Sequence, residues 1–213
     1  MNNALRLLTA PTLLALSLIA LAALSGCEKN TVEISTPPEQ AESGSFAASN
    51  TAQCLPDVSL VDQHGTAVSL ASLKGKPVLI DFIYTTCPTL CPLLTAKLAA
   101  VAKLLGPRLG SEVTFVSITI DPEHDHPRQL LDYAKSHEAN DEGWLFLTGT
   151  PAQVEGVLKL FKIKRRINPN GSIDHVALGF LLGPDGHQVR QYETLQVPPQ
   201  VVVGDISRVN ARG

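Results

Sequence analysis

The sequence predicts an α/β domain in which helices cover a mixed β-sheet and a β-hairpin comes first. Apolar runs of strand length alternate with segments of helical spacing, and the last two runs are joined by a tight turn that makes them antiparallel. The chain has 213 residues, of which 44% are hydrophobic, too many for a disordered protein. Its 17 Lys and Arg against 20 Asp and Glu give a net charge of −3, which excludes the basic field of a nucleic-acid-binding protein.

The first half of the domain has a hairpin, a buried strand and a long helix. Weak alternation around the turn 62–65 predicts the hairpin over 57–70. The near-continuous apolar run 78–84 is typical of a central strand that is buried on both faces. A helix is expected to open at 86–88, with Thr86 as its cap, and to end at the Gly-Pro pair 106–107.

The second half repeats this alternation and ends in a second hairpin. We expect strands over 113–120, 144–147, 176–182 and 187–192, a turn over 183–186, and helices over 127–136 and from 150–151 to about 161. After Tyr192 the sequence 197–199, Val-Pro-Pro, indicates a break. Residues 201–203 are then expected to be a short edge strand or part of a tail, without an amphipathic final helix.

The N-terminus has the pattern of an export signal. One Arg in 1–6, an apolar stretch over 7–24 and small residues before Cys27 are typical of a secretory signal peptide. The run LSGC at 24–27 resembles a bacterial lipobox, which implies that Cys27 is lipidated. An uncleaved membrane anchor is the alternative, since 7–24 can nearly span a bilayer. Pro11 and the polar residues after Cys27 favour the lipoprotein.

Residues 27–52 are predicted to be a flexible tether. They consist mostly of Ser, Thr, Pro, Glu, Ala and Gly, which cannot bury enough apolar area to offset the entropy of ordering. The predicted organisation is therefore a lipoprotein signal peptide over 1–26, a tether over 27–52 and one folded domain over 53–213. Whether the N-terminus is a lipoprotein signal or a membrane anchor, the domain is expected to face the periplasm or exterior of a bacterial cell envelope. The sequence does not distinguish the inner membrane from the outer membrane.

Two cysteines are placed for thiolate chemistry. Cys87 and Cys91 are four residues apart at the predicted start of a helix, so their thiols are expected on one face. The partial positive charge of a helix N-terminus lowers thiol pKa values, and the thiolate is the form that binds metals and attacks disulfides. A stabilising disulfide between them is a less favoured interpretation, because so short a loop restricts the unfolded chain little. The role of Cys54 stays open.

His175 is the candidate third ligand for a metal. It lies directly before the predicted strand 176–182, and strand ends are common sites of function in such sheets. Two thiolates and one imidazole form a soft set that suits copper, whereas structural zinc normally takes four ligands. His124 and His126, in a loop bounded by prolines, are weak candidates for an accessory metal site.

Four segments together resemble the Sco/SenC family of copper proteins. DFIYTTCPTLCP at 81–92 is similar to the family's Cys-Pro-x-x-Cys-Pro segment, and VSITIDPE at 116–123, LTGT at 147–150, and DH at 174–175 followed by GPDG at 183–186 match in order. The resemblance implies a thioredoxin-like fold in which Cys87, Cys91 and His175 bind copper. It also implies delivery of copper to, or thiol reduction at, the dinuclear copper centre of a terminal cytochrome c oxidase.

Three further residues are expected to tune this site. Thr89 stands where many members of the family have Asp, which removes a negative charge, and Asp174 precedes the candidate ligand. Asp81 lies six residues before Cys87 inside an apolar strand. Burial should raise its pKa and make it a proton acceptor for the inner thiol in redox chemistry, unless hydrogen bonds or water at a sheet edge satisfy it.

The leading hypothesis is a lipid-anchored copper chaperone rather than an enzyme. It would bind Cu(I), with Cu(II) as a second form, and its partners would be a copper-accepting oxidase subunit and a periplasmic thiol reductase or copper donor, with no nucleic acid. The alternative is a periplasmic thiol–disulfide oxidoreductase that uses Cys87, Cys91 and Asp81. A copper sensor or buffer without a delivery role is the third hypothesis.

Overall fold

A seven-stranded mixed sheet lies at the centre of the fold in the computed structural model, which describes residues 54–139, 142–193 and 196–212. The strands are β1 Ser59–Asp62, β2 Ala67–Ser69, β3 Val78–Ile83, β4 Thr114–Thr119, β5 Trp144–Thr148, β6 Arg165–Ile167, β7 Ile173–His175, β8 Leu178–Leu182 and β9 Gln188–Glu193. The large sheet has the order β2-β1-β5-β4-β3-β8-β9, and β6 and β7 form a separate pair. The predicted signal peptide and tether lie outside the described residues.

The three central strands are parallel and buried. Strands β3, β4 and β5 pair in parallel, and every residue of β3 and β4 is buried. Continuous apolar sequence is what strands covered on both faces require. Strand β8 joins the other side of β3 in antiparallel register, which completes the predicted mixed sheet. The N-terminal hairpin, β1 with β2, is also confirmed.

Among the described residues, five α-helices flank the sheet. They are α1 Leu90–Leu105, α2 Arg108–Ser111, α3 Pro127–Ser136, α4 Pro151–Leu160 and α5 Pro199–Asn210. Proline occupies the first turn of α3, α4 and α5, where its missing N–H leaves no helical hydrogen bond unmade. A capping box between Thr150 and Gln153 fixes the start of α4. None of the helices among these residues is long and apolar enough to cross a bilayer.

The prediction for the chain after Tyr192 was wrong, because this segment ends in the helix α5. Pro198 and Pro199 were read as a break, yet they mark a helix start. Val202 and Ile206, four residues apart, are both buried in the core. The buried carboxylate of Asp205 also receives a hydrogen bond from the Tyr192 hydroxyl at 3.0 Å, which ties the helix to β9.

Two element boundaries near the cysteines and His175 also differ from the sequence prediction. Helix α1 begins at Leu90 and not at Thr86, so Cys87 lies in the turn that precedes the helix. The strand expected over 176–182 begins at Leu178, while His175 belongs to the separate strand β7.

Replacing Ile206 with Ala tests whether α5 belongs to the core. The Ile206 side chain is fully buried, so Ile206→Ala should lower the free energy of unfolding by about 2–4 kcal/mol through lost burial and a cavity. Urea unfolding of Val201→Ala, whose side chain is 38% exposed, provides the control and should change by less than about 1 kcal/mol. An unchanged stability for Ile206→Ala would mean that the helix is detached.

Candidate metal centre

The pairing of β3 with β8 brings the cysteines and the histidine together. Cys87 and Cys91 follow β3, while two residues separate His175 from the start of β8. Because β3 and β8 run antiparallel, with Asp81 opposite Gly179, the end of one strand lies beside the beginning of the other. Residues that are 84 positions apart in the sequence therefore meet at one edge of the sheet.

Cys91 lies in contact with both other candidate ligands. Its Sγ is 3.9 Å from His175 Nε2, and its backbone N–H donates to Cys87 Sγ at 3.3 Å. Both thiols are free; Cys91 is fully buried, Cys87 is 8% exposed and His175 is half-buried. Among the described residues, no group of three or more His, Cys, Asp or Glu side chains has an arrangement that could hold a metal ion without some movement.

The unprotonated ring nitrogen of His175 faces Cys91. Its Nδ1 lies 3.2 Å from the backbone carbonyl oxygen of Val176, which can only accept, so this contact assigns the proton to Nδ1. Nε2 then carries a lone pair that faces the thiol. Burial lowers the pKa of His175, which keeps the ring neutral and able to ligate a metal.

The two thiols differ strongly in acidity. Burial disfavours the thiolate of Cys87, but the N–H groups of Cys91 and Thr89 and the side chains of Cys91 and Tyr84 outweigh it, so the pKa of Cys87 is lowered. Burial raises the pKa of Cys91 far above its usual value, and the charges of Cys87 and Asp81 add to the effect. The sequence predicted lowered pKa values for both cysteines, which is wrong for Cys91 because a fully buried sulfur loses its hydration.

Asp81 is a buried carboxyl in the middle of β3. The Ser117 hydroxyl donates to its Oδ1 at 2.6 Å, while Oδ2 is buried without a hydrogen-bond partner in the described part of the chain. Burial raises the pKa of Asp81 to about 7, against smaller opposing effects of its hydrogen bonds. The carboxyl therefore changes charge near neutral pH, as proton transfer to or from a neighbouring thiol would require.

The remaining predicted residues lie around the site or away from it. The Thr89 side chain makes no capping hydrogen bond to α1, and the Asp174 carboxylate binds Arg166 at 2.7 Å. His124 Nδ1 contacts the Asp121 carboxylate at 2.9 Å, a hydrogen bond that raises the pKa of His124, and His126 stands at the start of α3. The predicted lipidation site, Cys27, lies outside the described residues.

Two residues with contacts to the site escaped the sequence analysis. Tyr84, the last residue of the apolar run, packs edge-on against the His175 ring with centroids 6.0 Å apart. The buried carboxylate of Asp125 accepts from the backbone N–H of Thr85 at 3.0 Å and from the Thr119 hydroxyl at 2.6 Å, which anchors the loop before Cys87. Tyr84 lies within the segment 81–92 and Asp125 lies outside the matching segments, but their contacts join distant parts of the chain, so no local pattern assigned either residue a role.

Comparison with known proteins identifies the family. The SCO1/SenC family model matches residues 47–211, which is most of the chain. The chain belongs to the SCO1/SenC family.

The relatives of this SCO1/SenC protein share both sequence and fold. The SCO1 protein homolog of Bacillus subtilis (strain 168) is 35% identical over 149 residues, which cover 68% of this chain and 77% of the relative. The solved structure of Bradyrhizobium japonicum ScoI with copper bound is 33% identical, with a TM-score of 0.63 over 71% of this chain and 96% of that one. BsSco, described as a member of the Sco family of cytochrome c oxidase assembly proteins with a disulfide switch, is 32% identical, with a TM-score of 0.67 over 76% and 96%. The fold of this SCO1/SenC domain is thus thioredoxin-like, as predicted.

The difference between the thiols predicts selective alkylation. At pH 7, iodoacetamide should modify Cys87 of the reduced protein at least about tenfold faster than Cys91, because Cys87 forms a thiolate more readily and is slightly exposed. Peptide mass mapping over time measures both rates. Cys87→Ser should remove the fast phase and Cys91→Ser should keep it, whereas equal rates at both cysteines would contradict the assignment.

The raised pKa of Asp81 predicts a pH-dependent stability. Between about pH 4 and pH 7 the folded protein holds a proton on Asp81 that the unfolded chain has lost, so stability falls as pH rises through this window. Asp81→Asn removes the titrating carboxyl and with it this loss of stability. Relative to wild type, its free energy of unfolding should rise by on the order of 2–4 kcal/mol between pH 4 and pH 8.

Urea unfolding at several pH values measures this difference. Asp132→Asn, which removes an exposed carboxylate, is the matched control. Its free energy of unfolding should differ from that of wild type by the same amount at every pH. A constant offset between Asp81→Asn and wild type at every pH would show that Asp81 keeps an ordinary pKa.

Proposed function

We propose that this protein is a membrane-tethered copper chaperone that binds Cu(I) through Cys87, Cys91 and His175. The observation that carries the proposal is the position of Cys91 Sγ, 3.9 Å from the unprotonated Nε2 of His175, with Cys87 Sγ against the Cys91 backbone N–H. Two sulfurs and a neutral imidazole are soft donors of the kind that Cu(I) prefers. The copper bound to the related ScoI supports the same cargo here.

Loading requires a proton to leave the site. Cys87 has a lowered pKa, but Cys91 has a strongly raised one, so Cu(I) must displace the Cys91 proton to gain its second thiolate. Copper affinity therefore falls as pH decreases. Since neutral His175 is already in its ligating form, proton competition is expected mainly at the inner thiol.

Unloading is favoured by the position of the site at the protein surface. His175 is half-buried and Cys87 is 8% exposed, and two large apolar side chains on this side of the fold are exposed: Val176, next to His175, by 58%, and Ile167, opposite Ile173 on β6, by 60%. Such residues provide a contact area for a partner beside the cargo. Ligands of the partner can then replace those of the chaperone one at a time. The description of BsSco as a cytochrome c oxidase assembly protein supports a copper-accepting oxidase subunit as that partner.

The redox state of the cysteines would control loading. Oxidation of the Cys87 and Cys91 thiols to a disulfide releases two electrons and two protons and removes both thiolate ligands. A periplasmic thiol reductase would supply the two electrons and two protons that restore them, and a copper donor would then fill the site. Lipidation of Cys27 would hold the domain, residues 53–213, on a tether facing the periplasm of the cell envelope.

A thiol–disulfide oxidoreductase is the second candidate, and Asp81 is the observation that favours it. In this scheme the Cys87 thiolate attacks one sulfur of a substrate disulfide, which breaks the substrate S–S bond, expels the other sulfur as a thiolate and forms a mixed disulfide. Cys91, after loss of its proton to Asp81, then attacks the sulfur of Cys87 and releases the substrate thiol. The pKa of about 7 for Asp81 suits this step. A copper sensor or buffer would use the metal site without any delivery.

A Cu(I) titration under anaerobic conditions separates these functions. The reduced wild-type protein should bind one Cu(I) per chain, and His175→Ala should weaken the affinity at least about tenfold, because a third ligand is lost. His64→Ala, which changes an exposed histidine in the β1–β2 turn, is the matched control and should bind as wild type does. A competing Cu(I) chelator of known affinity gives the dissociation constants.

Other outcomes decide against the chaperone. Equal affinities for wild type and His175→Ala would remove His175 from the site. Weak binding by wild type, together with reduction of glutathione disulfide that His175→Ala leaves intact and Asp81→Asn slows, would establish the oxidoreductase instead. Tight binding without transfer to the purified copper-accepting domain of an oxidase would favour the sensor or buffer.

A further inference from the structure

We propose that Tyr84 is a positioning residue whose hydroxyl links the cysteine loop to the strand that carries His175. The inference concerns the arrangement of the apo site, and its consequence for copper rests on the proposed function. Nothing in the Cys-Pro-x-x-Cys-Pro pattern includes this side chain. The residue stands between β3 and Cys87 and is 3% exposed.

The backbone of Tyr84 is part of the turn that presents the first cysteine. Its carbonyl oxygen accepts the N–H of Cys87 at 3.2 Å, which closes the turn over 84–87. The Tyr84 side chain therefore starts from a point that is fixed relative to Cys87. Because β3 is buried in the sheet, this turn has a rigid support on its N-terminal side.

The side chain of Tyr84 reaches across to β7. Its hydroxyl oxygen accepts the backbone N–H of Ile173 at 3.3 Å, and its ring packs edge-on against His175 at an interplanar angle of 73°. One side chain thus contacts the histidine and the backbone two residues before it, while the backbone carbonyl of the same residue closes the turn to Cys87.

The contact matters because β6 and β7 stand apart from the large sheet. Within the part of the chain that the structure describes, these two strands pair only with each other, with Arg165 opposite His175, so no sheet hydrogen bond there fixes His175 relative to the cysteines. The N–H of Ile173 points to Tyr84 and needs an acceptor there, since a buried donor without one is unfavourable. The hydroxyl therefore helps to hold β7 in place, together with the buried Ile173 side chain and the hydrogen bond from Arg165 on β6 to the Ile120 carbonyl.

Substitution of Tyr84 separates the hydroxyl from the ring. Tyr84→Phe keeps the ring and removes the acceptor, and Tyr84→Leu removes both. In the reduced copper-free protein, Tyr84→Phe should speed amide hydrogen exchange of Ile173 at least about fivefold and shift the ring resonances of His175, both measured by NMR. The Cu(I) dissociation constant should rise about three- to tenfold, and the absorption band of the Cu(II)–thiolate complex should shift.

Tyr192→Phe is the matched control. It also removes a buried tyrosine hydroxyl, which donates to Asp205 at 3.0 Å, so it should lower the melting temperature by a similar amount. It does not touch the site, and its Ile173 exchange and copper affinity should stay within about twofold of wild type.

The outcomes distinguish failure of this inference from failure of the proposed function. The inference would be overturned if Tyr84→Phe kept the wild-type exchange rate of Ile173 and the wild-type resonances of His175. It would also be overturned if only Tyr84→Leu changed these two quantities, because Tyr84 would then have a packing role alone. If wild type binds no copper, the proposed function fails, while the exchange measurement in the copper-free protein still decides the role of Tyr84.

Discussion

The antiparallel pairing of β3 with β8 is the constraint on which the site depends. It places the end of β3, with the turn to Cys87, beside the residues that lead into β8, where His175 stands. The pairing is held by a sheet whose central strands are buried on both faces, so it is among the most stable parts of the fold. The β6–β7 pair and the turn before Cys87, neither of them part of the large sheet, can therefore carry a site with defined geometry.

The same burial that stabilises the sheet also sets the chemistry of the site. Cys91 lies under the surface and keeps its proton, while Cys87 at the edge is stabilised as a thiolate by neighbouring N–H groups. Asp81, deeper in β3, has its pKa raised to about 7 by the same loss of water. The site thus has an outer thiol that binds or attacks, an inner thiol that holds its proton, and a buried carboxyl with a pKa of about 7. This arrangement suits both copper loading and disulfide exchange, and His175 is the residue that favours copper.

Local sequence patterns predicted most of the fold correctly. They failed where contacts between distant residues determined the local structure. The buried strands, the N-terminal hairpin and α3 followed from periodicity and proline positions. Helix α5 was missed because Pro199 is equally consistent with a break and with a first turn, and only the fit of Ile206 into the core selects the helix. The acidity of Cys91 was predicted in the wrong direction, since spacing within a helix does not reveal how deeply a side chain is buried.

By itself, the sequence determined the family, the mixed sheet and the identity of the three candidate ligands, because these follow from local residue patterns: the Cys-Pro-x-x-Cys-Pro segment, the other matching segments in order and the apolar runs. The tertiary structure alone decided which nitrogen of His175 faces Cys91, which thiol is exposed, and that Tyr84 connects the two halves of the site. These features arise from contacts between segments almost 90 residues apart, as in the Tyr84–Ile173 hydrogen bond. Such contacts form only after the sheet has brought its strands together, so no local pattern in the chain encodes them.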